Sequence, residues 1–190
     1  MKIVKEITYF ESAGRENTLE TLKAAKKRAI ELGLKDVVVA STLGETGVKA
    51  CEVFKGFNLI IVRHHTGFAE PGTQEMRPEL EKKILEAGAK ILTCTHALAG
   101  VERGMRKKFG IRGPVELIAE ALRLFGEGMK VCVEIAVMAA DAGLIPIDRN
   151  VICVAGTGHG ADTAIVVKPA HSSNFFDLKI VEIIAMPMKR

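Results

Sequence analysis

Three hydroxyl side chains and two glycines gather in Ser41-Thr42-Leu43-Gly44-Glu45-Thr46-Gly47, directly after the apolar run Asp36–Ala40 and before a helical pattern. A strand running through such a turn into a helix makes an anion cradle. The first N–H groups of a helix lack intrahelical acceptors, and the helix dipole favours negative charge there. Gly44 and Gly47 let a phosphate come close to the backbone, and Ser41, Thr42 and Thr46 add hydroxyl donors. The same residues also fit a plainer role, because Thr42 and Glu45 stand at capping-box spacing.

A second turn, Ala155-Gly156-Thr157-Gly158-His159-Gly160-Ala161-Asp162, also follows an apolar run. Its glycines either let backbone lie against a ligand or serve the positive φ angles of a hairpin. His159 and Asp162 have the chemistry of a base and its orienter. Polar clusters follow two more apolar runs, Arg63-His64-His65-Thr66-Gly67 and Thr93-Cys94-Thr95-His96. Ligands of open parallel sheets bind outside the carboxyl ends of strands, so these clusters and the Ser41 turn are expected to converge on one crevice.

Other candidates carry less. Adjacent histidines in a strand point to opposite faces, and no carboxylate stands at ligand spacing from His64, His65, His96 or His159, so no metal is expected. Glu134 and Asp141 share one face of an apolar helix, where either acid–base work or structural hydrogen bonding is open to them. Arg15, in the polar turn Glu11–Thr18, is within chemical reach of a phosphate role. Cys51, Cys94, Cys132 and Cys153 form no Cys-x-x-Cys pair and lie in apolar stretches, as buried thiols of a reducing compartment do.

Composition limits the partners. A net charge of +4 is too small and dispersed to mark a nucleic-acid binder, and Arg103, Arg106, Lys107 and Lys108 read as a solvated face without aromatic interleaving. Met129–Leu144 is the longest nearly apolar run and is interrupted by three charges. It falls short of the roughly 20 residues of a membrane span, and no signal-peptide pattern opens the chain, so a cytoplasmic protein is expected.

The elements that must position these residues alternate between β-branched runs and helical patterns, the signature of an α/β layered fold with a largely parallel sheet. Strands are expected over Ile3–Tyr9, Asp36–Ala40, Asn58–Val62, Lys90–Cys94, Val151–Ala155, Thr163–Val167 and Leu178–Ile184. Asn17 and Glu20 suggest a capping box opening a helix with Leu19, Leu22, Ala25, Ala29 and Leu32 on its apolar face. Pro78 and Pro114 open two further helices, and a nearly apolar one runs from Met129 to Gly143. The glycine-rich, basic segment His96–Gly113 reads as a lid or loop. No linker composition or repeat divides residues 1–190, so one domain is expected.

The strand, the Ser41–Gly47 turn and the helix leading to Phe57-Asn58-Leu59-Ile60-Ile61-Val62 resemble the C-terminal α/β domain of pyruvate kinase. In that domain the corresponding loop holds a phosphate of the allosteric sugar effector. With Arg15–Thr18, Val133–Pro146 and Ala155–Ala170, the chain is also similar over nearly its whole length to small stand-alone archaeal proteins described as pyruvate-kinase-like α/β domains. That resemblance implies a three-layer α/β/α fold and flavin mononucleotide (FMN) as a ligand. Phosphate contacts would fall on Ser41, Thr42, Gly44, Thr46 and Gly47. Ring and ribityl contacts would fall on His64, Thr66, Gly67, Thr93, Thr95, Gly156, Thr157, Gly158 and Asp162. Pyruvate kinase activity is not implied, because the catalytic barrel is absent.

The expectation is therefore an FMN-binding protein whose partner is a small phosphorylated ligand, with a homodimer and oxidoreductase chemistry open to it. Two rivals stand beside it. One is a phospho-ligand sensor without catalysis. The other is a hydrolase or lyase using His159, Asp162 or His96.

Overall fold

A computed structural model describes residues 2–189 of the chain. Seven strands form one sheet: β1 (Thr8–Ser12), β2 (Asp36–Ala40), β3 (Asn58–Arg63), β4 (Lys90–Thr93), β5 (Val151–Ala155), β6 (Thr163–Lys168) and β7 (Lys179–Lys189). Their spatial order is β1-β7-β6-β5-β2-β3-β4. Only β6 runs against its neighbours; the β1–β7, β5–β2, β2–β3 and β3–β4 pairs are all parallel. The largely parallel sheet inferred from the alternating pattern is therefore present, with one reversed strand where the chain turns back at the second glycine-rich segment.

Helices cover both faces. On one side α1 (Thr18–Glu31), α2 (Glu45–Val53) and α3 (Pro78–Glu86) enclose a core around Leu22, Val37, Val39, Phe54, Ile61 and Ile84. On the other, α5 (Pro114–Arg123) and α6 (Glu127–Asp141) enclose Val38, Ile60, Met129, Val133, Cys153 and Ile165. Because the central strands are covered on both faces, β5 is buried throughout and β2 nearly so, which explains their unbroken apolar runs. Gly128 permits the close seating of α6 on the sheet: a Cβ there would overlap the Thr163 side chain.

Several sequence expectations are corrected. The first strand begins at Thr8, not Ile3; Ile3 and Val4 are exposed and belong to no strand. The register is set by pairing of Thr8 to Ala185 and Ser12 to Lys189, which carries β1 past Tyr9 and β7 past Ile184. Asn17 makes no capping bond to α1; its side-chain amide donates to the Ser12 carbonyl at 2.8 Å. Leu19 and Leu32 lie on the exposed side of α1, and Thr18 and Thr21 take the inward positions because their hydroxyls are bonded to backbone carbonyls. The segment His96–Gly113 is not an irregular loop, since Gly100–Phe109 forms a helix, α4, closed by left-handed Gly110.

Among the described residues no helix is long and apolar enough to cross a membrane. Of the four thiols, Cys132 and Cys153 are buried, while Cys51 and Cys94 are only half-buried. Burial raises the pKa of all four, so none is poised as a thiolate.

Candidate functional site

A cavity of about 590 Å³ opens at the carboxyl ends of β2, β3 and β5. Its walls come from the Ser41 turn, the segment after β3, the hairpin after β5, and α4, α5 and α6. The volume falls within the range of pockets that enclose small ligands.

The Ser41 turn is built by its glycines. Gly44 has φ +103, and a Cβ there would sit 2.7 Å from Leu80 Cβ; a Cβ on Gly47 would sit 2.7 Å from Ile84 Cδ1. Both glycines thus let α3 approach α2, and neither lines the cavity. The capping-box expectation fails here. Gly44 is the N-cap with no side-chain cap bond, and Ser41 Oγ instead reaches across the turn to accept from Gly47 N at 3.0 Å. The N–H groups of Glu45 and Thr46, at the start of α2, have no protein acceptor among the described residues. Ser41, Thr42 and Thr46 all face the cavity beside them.

His64 stands at the same rim. Its Nδ1 lies 2.8 Å from Glu75 Oε2, and its Nε2 lies 3.4 Å from Thr42 Oγ1. β3 ends at Arg63, so His64 and His65 are not strand residues and do not diverge as alternation would require. Both rings gather around His96, with centroids 5.2 and 5.3 Å from it. Phe68 stacks on His64 at 3.8 Å, and the Arg103 guanidinium lies 4.0 Å from the Phe68 centroid. His96 is 9% exposed, and burial holds its pKa down to about 4 despite the neighbouring Glu134 carboxylate, so it is neutral at pH 7. Among the described residues no group of three or more His, Cys, Asp or Glu side chains is arranged to hold a metal.

The far wall is rich in internally paired charge. Arg106 meets Glu116 at 3.2 Å, Arg123 meets Glu127 at 2.6 Å and Glu120 at 3.0 Å, and Lys130 meets Glu134 at 2.6 Å. Arg103 is the exception: it has no carboxylate partner among the described residues and rests on Phe68. Leu98, Ala119, Ile135 and Met138 supply apolar wall between these pairs.

The remaining candidates divide. Gly156 and Gly158 line the cavity, as do Gly160 and His159. The turn is a hairpin, with Ala155 paired to Thr163, and Gly158 and Gly160 take positive φ, so turn chemistry and cavity lining coexist. Thr157 and Asp162 stay outside the cavity, bonded to each other through Thr157 N and Asp162 Oδ2 at 3.1 Å. Asp162 is fully buried while His159 is exposed, so they are not a base and its orienter. Thr66, Gly67 and Thr93 do not line the cavity; Thr93 Oγ1 accepts from Arg63 Nε at 2.7 Å, and Gly67 lies in the turn closed by its N–H to Thr73 O.

Thr95 lines a neighbouring cavity of about 530 Å³, which shares His96 with the first. Glu134 and Asp141 face different cavities and do not act as a pair: Glu134 also accepts from Leu98 N, and Asp141 accepts from Ser172 N. Arg15 is exposed and its backbone packs on Gly160.

Sequence reasoning misses Arg103, Arg106, Arg123 and Lys130 as cavity residues. Arg103 and Arg106 read as a solvated face, and no sequence signal corrects this, because Val101, Met105 and Phe109, four apart, form an apolar stripe that faces solvent while the two arginines line the cavity.

These features define a layered α/β protein with a cavity at its strand ends. The chain belongs to the family described as "Pyruvate kinase, alpha/beta domain", whose model matches residues 20–167. It is similar in structure to Cryptosporidium parvum pyruvate kinase, at 14% identity over 78% of this chain and 21% of that one, with a TM-score of 0.38. A second structure of that enzyme, in complex with ADP, matches at 14% identity over 90% of this chain and 24% of that one, with a TM-score of 0.40. A lysine-to-alanine mutant of O-ureido-L-serine synthase, bound to O-ureido-L-serine, matches at 17% identity over 76% of this chain and 50% of that one, with a TM-score of 0.31. The chain thus spans about a fifth to a quarter of the length of the pyruvate kinases it matches.

Proposed function

We propose that this chain binds a small phosphorylated ligand, with its phosphate on the Ser41–Thr46 turn, and that the ligand is FMN. The observation that carries the reading is the pair of unpartnered N–H groups of Glu45 and Thr46, beside the Thr42 and Thr46 hydroxyls, opening on the 590 Å³ cavity. The residues fit such a group: donors for a phosphate at one end, and an apolar wall of Leu98, Ala119, Ile135 and Met138 for a ring system. A bound flavin would supply electron transfer at its ring, while the chain binds, orients and shields it. Arg103, free of a carboxylate, is the cation available to a second negative group of the ligand.

The second reading is a phospho-ligand sensor without catalysis. It is favoured by the family match, which covers the turn and the cavity walls together. The visible absorption spectrum separates the two. Protein purified without added ligand, and again after addition of FMN and removal of excess, should retain about one flavin per chain under the first reading. No flavin band in either sample would leave the sensor reading, to be pursued by thermal-shift titration with sugar phosphates and nucleotides.

A further inference from the structure

The contacts of His64 support more than ligand holding. An ionised carboxylate only accepts hydrogen bonds, so the 2.8 Å contact to Glu75 Oε2 requires the proton on His64 Nδ1. In the neutral ring with that tautomer, the Nε2 lone pair faces Thr42 Oγ1 at 3.4 Å. Carboxylate, imidazole and hydroxyl thus stand in the order orienter, base and nucleophile. Thr42 sits where a buried strand turns into a helix, and the unpartnered N–H groups of Glu45 and Thr46 lie on the same turn. They are the donors on hand for an oxyanion. Thr42 and His64 both face the cavity, which admits a substrate, while Glu75 stands behind His64.

We infer that Glu75, His64 and Thr42 form a catalytic triad that hydrolyses small carboxylic esters. Thr42 Oγ1 bonds to the carbonyl carbon as its proton passes to His64 Nε2. The ester C–O bond breaks, and the leaving alcohol takes that proton. Water then attacks the acyl-threonine, giving a proton to His64 Nε2. The acid departs as the C–Oγ1 bond breaks and Thr42 recovers its proton. The sum is ester plus water to acid plus alcohol. The step itself uses no flavin, but a phosphate seated on the Ser41–Thr46 turn would occupy the same Thr42 hydroxyl and the same Glu45 and Thr46 N–H groups, so inorganic phosphate and FMN should inhibit it.

The test is hydrolysis of p-nitrophenyl acetate by the full chain, with intact-mass and peptide mapping of protein quenched during turnover. We expect an acetyl group on Thr42, and at least about 100-fold slower turnover in Thr42→Ala and His64→Ala. Glu75→Gln should fall between these variants and wild type, Thr42→Ser should restore turnover, and His171→Ala, at a residue that does not line the cavity, should be unchanged. Melting temperatures identify any variant that fails to fold, and Thr42→Ser keeps the hydroxyl question open in that event. Turnover in Thr42→Ala equal to wild type, acetylation only at histidine or lysine, or no turnover above free imidazole overturns the inference.

Discussion

Lys130 Nζ and Glu134 Oε2 meet at 2.6 Å one turn apart on α6, both about 95% buried, and Glu134 Oε1 also accepts from Leu98 N. Two opposite charges so enclosed each make the other tolerable. The pair also ties α6 to the segment between β4 and α4, which forms part of the cavity wall.

Glu134→Ala should therefore cost about 3–5 kcal/mol in urea unfolding, because it strands a buried ammonium and an amide N–H. Lys130→Met with Glu134→Leu should lose less than that single change, since no charge is left unpaired. Equal losses would mean that packing, not charge pairing, dominates at this position.

The hairpin glycines should differ sharply. Gly158 and Gly160 both take positive φ, +71 and +78, but a Cβ on Gly158 meets open space while one on Gly160 would overlap Arg15 Cα and Thr18 Oγ1. Gly158→Ala should cost about 1 kcal/mol for the left-handed backbone alone. Gly160→Ala should cost at least twice that, read as the midpoint shift in chemical denaturation, because the start of α1 must move away.

His96 predicts a pH effect with a definite sign. Its folded pKa of about 4 lies below the ordinary value of 6.5, so between these pH values the unfolded chain binds more protons than the folded one. Stability should fall as pH drops from about 6.5 to about 4 and gain no further contribution from this group below that. The total is up to about 3 kcal/mol. His96→Phe should flatten this part of the profile, measured by denaturant unfolding across the range.

Thr46→Asp places a carboxylate at the expected anion position. It should abolish binding of FMN, followed by flavin fluorescence, while circular dichroism stays that of the native fold. Unchanged affinity would remove the turn from the binding site.

The strands that hold the site were legible because burial on both faces gives unbroken β-branched runs, and β2 and β5 begin and end where those runs do. The Ser41 turn was legible from its hydroxyls and glycines, although the local partner of Ser41 was not, since Gly47 N competes for its oxygen. The inward face of α4 was hidden for a physical reason. Periodicity turns the apolar stripe toward the protein by default, whereas Arg103 and Arg106 find Phe68 and Glu116 there. The His64–Glu75 contact was likewise beyond local spacing, because it depends on how the loop after β3 folds back.

The pairing of β1 with β7 brings residues far apart in the sequence together within one sheet, Phe10 beside Pro187. During synthesis β1 has no partner until β7 has left the ribosome, whereas β2, β3 and β4 can pair much earlier. The β1–β7 ladder closes the longest loop among the described strand pairs, and long-range closure is entropically slow. Its register is consequently expected to form late in refolding, after the β2–β3–β4 ladder has gained protection from hydrogen exchange.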